Sequence, residues 1–451
     1  MAKVFKVLGL GFLAAFVITL GWLTVAPPDL IRVATNYSAK IVCSNVFLAG
    51  RRADTVMEVD VQAPGHPILG FISTSVDRPS GEVRSRLLGL FALGRAVHRP
   101  GLGCANVPNG GDRPALTGLT VEDVPAPAPL ETALAAALEP VLADKDLLGS
   151  GWRAVVVLQD GKIIGERYAD GFTAQTPLLG WSMAKTVTGA LVGVMEKDGL
   201  TTRETTGLFP AWKDDARAKV SVGDMLGMAS SLEWNEGYGT VSDVTRMLYL
   251  ENDMASFATK AGLQPATGEE IGDIFNYSSG TSVALSAYLQ SLFPTAKDGI
   301  AYMQTRLLDP IGMESAIVET DATGTMVGGS YIYATARDWA KFGQFLLQGG
   351  RVNGDLLVPQ DYVAWMTSPH KASQSGAYGQ GHIWLLPPNR RHNETGTPFG
   401  HNAWWLAGHD GQSVGIVPDK NLVVVRMGLT PSKLKYRPAP LTSAIIEALE
   451  N

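Results

Sequence analysis

Charge, histidine and cysteine are all scarce in this chain, and each shortage removes a class of function. Charged residues fill 18% of the 451 positions, below the ~25% of an ordinary globular protein. Acidic residues outnumber basic ones by 43 to 37, a formal net charge of −6, and no basic stripe stands out. That argues against nucleic acid as a main partner. Two cysteines, Cys43 and Cys104, are too few for a disulfide-stapled miniprotein or a four-cysteine zinc site. The seven histidines do not form the paired helical pattern of a zinc hydrolase, so no metal ligand set is expected. The sequence also lacks a Gly-x-x-x-x-Gly-Lys-Ser/Thr phosphate loop and a Gly-x-Gly-x-x-Gly after a strand.

What is present is apolar bulk. Hydrophobic residues make up 45% of the chain, enough for a large core and too much for disorder. Glycine is abundant, 50 residues, but without a three-residue period, which excludes collagen and implies many turns. The length predicts two or three domains at roughly 100–200 residues each.

Lys3 and Lys6 precede an apolar run from Val7 to Ala26 that ends at Pro27-Pro28. A helix of that length spans a hydrocarbon core of ~30 Å, whereas the apolar part of a secretory signal is only about 7–15 residues long. Residues 1–28 are therefore expected to be a signal anchor or a signal peptide, with a weak cleavage site at Thr24-Val25-Ala26; a buried core helix is the plain alternative. Lysines on the N-terminal flank put that end in the cytoplasm and the body outside, in the periplasm of a Gram-negative cell. In an oxidising compartment Cys43 and Cys104 are expected to form a disulfide, worth roughly 4 kcal/mol for a loop of ~60 residues. Two buried free thiols are the alternative.

Residues 31–120 read as a small N-terminal domain and 121–130 as a proline-rich linker, Val124-Pro125-Ala126-Pro127-Ala128-Pro129 favouring polyproline II. Residues 131–451 read as the main domain. Glu131 to Leu142 is expected to be helical. Arg153–Leu158, the turn Asp160-Gly161 and Ile163–Tyr168 form a hairpin. Val187, Ala190, Leu191, Val194 and Met195 recur at helical spacing, with Ser182 at the start of that helix and Gly199 near its end. Strands at Ser413–Pro418 and Leu422–Met427 and a helix at Leu441–Leu449 close the chain. Strands at both ends with helices between them predict an α+β layered fold whose two ends meet in one sheet.

The α/β-hydrolase elbow is a poor fit: Gly180-Trp181-Ser182-Met183-Ala184 lacks the closing glycine, and Gly411-Gln412-Ser413-Val414-Gly415 enters a strand pair. Ser182-Met183-Ala184-Lys185 is different. Residues three apart share a helix face, so the amine reaches the hydroxyl, and free N–H groups at the helix tip suit an anionic intermediate. Ser368-Pro369-His370-Lys371 and Ser432-Lys433-Leu434-Lys435 have the same spacing but lie in polar loops. Asn276-Tyr277-Ser278-Ser279-Gly280 adds a phenol as an acid/base candidate, and Gly408-His409-Asp410-Gly411-Gln412 precedes the last strand pair, where glycines allow close approach. The plain readings are an N-cap serine, a packed loop tyrosine and a satisfied loop histidine.

In that order the three elements resemble the serine beta-lactamase and penicillin-binding-protein superfamily, in particular its class C-like branch of β-lactamases, D-amino-acid peptidases, esterases and 6-aminohexanoate-dimer hydrolases. The likeness covers roughly residues 130–450, with Gly328–Asp338 as a supporting segment. It implies an antiparallel sheet flanked by helices plus an all-helical subdomain, and no cofactor. It also implies Ser182 as acylated nucleophile, Lys185 and Tyr277 sharing proton transfer, and the N–H groups of Ser182 and Gln412 as oxyanion hole. His409, Gly411, Ser279 and Tyr238 would bind substrate, Tyr238 belonging to the stretch Ser230–Tyr238 that resembles the loop of nylon-oligomer hydrolases. Ser279 stands where β-lactamases usually carry Asn, and His409 where they carry Lys. Both departures favour hydrolysis of a small amide or ester. A β-lactamase, a D-amino-acid peptidase and a non-hydrolytic binding protein on the same scaffold are the alternatives. Trp404 and Trp405 are candidate pocket walls.

Overall fold

The computed structural model describes residues 2–63, 65–108, 136–264, 270–389 and 402–451. The linker read at 121–130, and the first residues of the helix read from Glu131, lie outside them. Helix α1 (Ala2–Val25) leads through the two prolines into α2 (Asp29–Phe47), which packs on a meander of β1 (Ile72–Asp77), β2 (Glu82–Leu87), β3 (Phe91–Arg99) and β4 (Gly103–Asn106). Phe5, Leu8, Phe12, Ile18 and Trp22 are exposed on α1, whereas α2 is buried from Val33 to Val46 apart from the half-buried Tyr37. Among the described residues no single helix is long and apolar enough to cross a membrane. Leu10–Val25 and Asp29–Phe47 pass that test only as a pair bent by 51°, and the second member of that pair is core. The membrane segment expected from the apolar run is thus not supported by the helix geometry.

The body opens with short helical segments at Glu139–Ala143, overlapping the helix expected up to Leu142, and at Lys145–Leu148. The hairpin β5 (Trp152–Gln159) and β6 (Lys162–Tyr168) follows. Asp160 and Gly161 both have positive φ, 51° and 77°, the geometry that matches a two-residue turn to strand twist. Helix α3 (Met183–Lys197) follows the short strand β7 (Leu178–Leu179). Helix α4 (Ser279–Ser291) crosses the helical region, and β8 (Ile317–Val318) and β9 (Ile332–Ala334) join β7 in a three-stranded sheet. Helix α5 (Ala336–Leu347) and a two-stranded hairpin, β10 (Arg351–Val352) with β11 (Asp355–Leu356), come next. The chain ends with β12 (Trp404–Gly408), β13 (Gln412–Val417), β14 (Leu422–Gly428) and α6 (Pro438–Glu450).

The main sheet has the order β12-β13-β14-β5-β6, antiparallel throughout, so the two ends of the body do meet. Alternation along β5 explains its unbroken apolar run: Ala154, Val156 and Leu158 face the main core, while Val155 and Val157 face α6 through Leu441 and Ile445.

The N-terminal layer shares this core, which runs without a break from Val33 to Met427. Buried polar links reinforce the join. Glu319 forms an ion pair with Lys40 of α2, accepts from Ser44 Oγ at 2.8 Å and accepts from the Cys104 N–H at 2.7 Å. Desolvation, outweighing Glu319, holds the Lys40 amine below its ordinary value. Asp60 pairs with Arg51 at 2.7 Å and with Arg153 of β5. Cys43 and Cys104 are joined as a disulfide with Cα atoms 6.1 Å apart. Removing one member of a buried pair strands the other charge, at a cost of about 3–5 kcal/mol. Glu319→Ala should therefore lower the unfolding free energy by about that amount, read from urea denaturation; a loss under ~1 kcal/mol, the level of a surface pair, would contradict the account.

Candidate active site

Ser182 caps the N-terminus of α3, and the turn before it is tightly held. Trp181 sits at φ 49°, a left-handed conformation that a bulky residue adopts only when its surroundings impose it. Gly180 packs under the Trp339 ring, and the end of β12 runs so close that a Cβ on Gly408 would collide with the Gly180 carbonyl oxygen. Among the described residues the Ser182 N–H has no hydrogen-bond acceptor, leaving it free at the helix tip.

Lys185, one turn on, is 1% exposed. Its Nζ lies 3.1 Å from Ser182 Oγ, 2.8 Å from Ser279 Oγ and 2.7 Å from the Gly329 carbonyl oxygen. Burial pushes the amine down to about 8, and Glu236 pulls it back up. At neutral pH a usable fraction is therefore unprotonated, as a general base requires. The Lys185 amine also stands over the Tyr277 ring, 4.9 Å from its centroid. Desolvation and Glu236 raise the Tyr277 phenol above its ordinary value, contact with Ser182 pulling the other way. The phenol stays protonated, so it suits proton donation and Lys185 suits abstraction.

Ser279 and Tyr238 join this cluster. Ser279 Oγ donates to Glu236 Oε1 at 2.5 Å and its N–H donates to Oε2 at 2.9 Å. Trp234 Nε1 donates to the same carboxylate at 2.6 Å. The Tyr238 phenol, raised chiefly by burial and next by Glu236, meets Ser279. Its ring stacks on His409, centroids 4.5 Å apart, and the His409 ring meets Trp181 edge-on at 5.5 Å.

The turn His409-Asp410-Gly411 corrects part of the sequence reading. The strand that reaches the Ser182 turn is β12, through Gly408. Gln412 begins β13, pairs with Gly408, and uses its side-chain amide on the Gly428 backbone and the His409 carbonyl. Its N–H lies in the sheet and is not placed as an oxyanion donor beside Ser182. Gly411 also faces inward: its carbonyl accepts from Arg426 Nη1 at 3.0 Å, and at φ 86° it serves the turn. Trp405 is buried in the core against α6, and Trp404 is half-buried.

Several neighbours escaped the sequence. Glu236 lies two residues before Tyr238, an acid inside the stretch Ser230–Tyr238 that marks its position in the sequence. Trp384 tilts on Tyr277 at 5.6 Å but has no motif around it. His382 is 2% exposed, and burial followed by the Lys185 charge pushes its imidazole down to about 3. It stays neutral, with Nε2 3.1 Å from Ser282 Oγ.

Residues 135–439 match the family model described as Beta-lactamase. The 6-aminohexanoate-dimer hydrolase of Paenarthrobacter ureafaciens is 23% identical over 300 residues, 62% of this chain and 72% of that protein. A solved Bacillus anthracis protein, provisionally titled as a 6-aminohexanoate-dimer hydrolase, superposes with a TM-score of 0.53 at 21% identity, covering 66% of this chain and 78% of its own. A class C beta-lactamase from Rhodobacter sphaeroides gives 0.50 at 17% identity, over 71% and 100%. At such identities the structures speak for the fold alone.

Proposed function

The chain belongs to the beta-lactamase family, and from that premise we propose a serine hydrolase that cleaves a small amide or ester through an acyl-enzyme on Ser182. The observation that carries the proposal is the buried Lys185 amine, 3.1 Å from Ser182 Oγ and lowered to about 8. In the proposed cycle the neutral amine takes the hydroxyl proton as Ser182 Oγ bonds to the substrate carbonyl carbon. The Ser182 N–H stabilises the oxyanion. The protonated Tyr277 and Lys185 return a proton to the leaving group, which departs as amine or alcohol, and water then releases the acid. Ser279 at the third position of the tyrosine motif, His409 in the last one and the 6-aminohexanoate-dimer hydrolase among the relatives favour a linear amide or ester over a β-lactam. An exported body is part of the same proposal, supported by Lys3 and Lys6 ahead of the apolar run and by the Cys43–Cys104 disulfide.

A fluorophosphonate probe tests the reading. We expect one adduct per chain, mapped to Ser182 by mass spectrometry, with a labelling rate that rises with pH through about 8 as Lys185 loses its proton. Glu236 holds that value up, so Glu236→Gln should move the rising limb to lower pH. An adduct elsewhere, no adduct, or a limb indifferent to Glu236 would count against the assignment.

A further inference from the structure

The cluster around Ser182 adjoins a second space that the mechanism does not use. A cavity of about 350 Å³ lies between the N-terminal layer and the catalytic turn, within the size range of small-molecule sites. Ser182 does not line it; Trp181, Tyr238 and His409 do. Tyr238 belongs to both spaces, since its ring lines the cavity while its phenol meets Ser279, whose hydroxyl is 2.8 Å from Lys185 Nζ. Through Trp181, Tyr238 and His409 the cavity thus borders the Ser182 cluster. The far wall is apolar and comes from Leu30, Val33 and Ala34 of α2 and from Ile68 and Leu69. All five lie outside the matched span 135–439.

We infer that the N-terminal layer supplies the specificity wall of this hydrolase, selecting substrates with an apolar chain or ring on one side of the scissile bond. This rests on the serine-hydrolase reading above and goes beyond it by naming the substrate class and residues that set it. An apolar substituent entering the cavity gains the transfer free energy of burial, ~0.8 kcal/mol or about fourfold per methylene. Against the five apolar side chains a charged or strongly hydrated substituent finds nothing to replace its water; the polar groups of the lining, among them Tyr37, His66, Asp410 and Lys433, stand beside that wall.

The test uses the full chain and two substrate series. On the acyl side, p-nitrophenyl acetate, butyrate, hexanoate and octanoate are compared; on the leaving side, methyl, butyl and octyl acetate. We expect kcat/KM to rise at least tenfold along one of the series. Leu30 and Ile68 are only half-buried, so Leu30→Trp and Ile68→Trp narrow the cavity with little disturbance of the core. Each should cut the long-to-short ratio of kcat/KM at least tenfold, whereas Leu200→Trp, at an exposed position away from the cavity, should leave that ratio as it is. Thermal melts identify a misfolded variant, and the remaining one then decides. No length preference in either series, or an unchanged ratio in the narrowed variants, overturns the inference while Ser182 labelling leaves the hydrolase reading intact. Absence of Ser182 labelling in the wild type overturns both.

Discussion

Ser182→Ala should lower kcat for a p-nitrophenyl ester by at least ten-thousandfold, the scale seen when a nucleophile is removed from a machinery that acts as a unit. The prediction is sharp because a second serine is equally close to the base: Ser279 Oγ is 2.8 Å from Lys185 Nζ, nearer than Ser182 Oγ at 3.1 Å. Distance alone would make Ser279 the nucleophile. Access and orientation decide otherwise. Ser279 is fully buried inside the start of α4 and its proton is directed at Glu236, whereas Ser182 is partly exposed at a helix tip with its own N–H free. Ser279→Ala should accordingly cost only about 10–100-fold, as loss of a positioning hydrogen bond does. Steady-state kinetics of the two variants, with burst-phase nitrophenol release in Ser279→Ala and none in Ser182→Ala, checks the assignment. Comparable losses in both would contradict it.

Lys185→Met should lower kcat/KM at least a thousandfold and remove the rising limb near pH 8. General-base assistance accounts for about 10²–10⁴-fold, and in the proposed cycle Lys185 also holds Ser182 Oγ at 3.1 Å. Stability moves the other way. The folded-state value near 8 lies below the ordinary value of 10.5, so the unfolded chain binds more protons between those limits. The penalty for burying the ammonium is complete below about 8 and is relieved as pH rises towards 10.5. The wild type should therefore gain stability across that window in urea titrations, and Lys185→Met should lack the gain. An active enzyme whose stability at these pH values does not depend on residue 185 would show that the amine is not buried as described.

How much was readable beforehand depended on whether a signal was local. The hairpin at Asp160-Gly161, the helix beginning at Ser182 and the closing strands rest on turn chemistry and periodicity within a few residues, and the structure has all three. Lys185 three residues from Ser182 is equally local. The role of Gln412 was not: whether an N–H at a strand start faces a nucleophile depends on which strand forms the edge, and β12 forms it. Glu236, Trp384 and His382 reach the cluster through long-range packing, which one sequence does not reveal. Buried polar residues of α2, Lys40 and Ser44, make sense only once Glu319, more than 270 positions later, is beside them.

The pairing of β14 with β5 sets a schedule for the living molecule. Their paired positions, Leu422 with Gln159 and Val424 with Val157, are more than 260 residues apart, so on the ribosome the first hairpin must wait with one edge open until β14 has emerged. Non-local pairing of this kind delays folding and leaves a sticky edge in the interim. A chain that cannot close early stays threadable for longer, and the cluster around Ser182 is not assembled until β12, β13 and β14 have arrived.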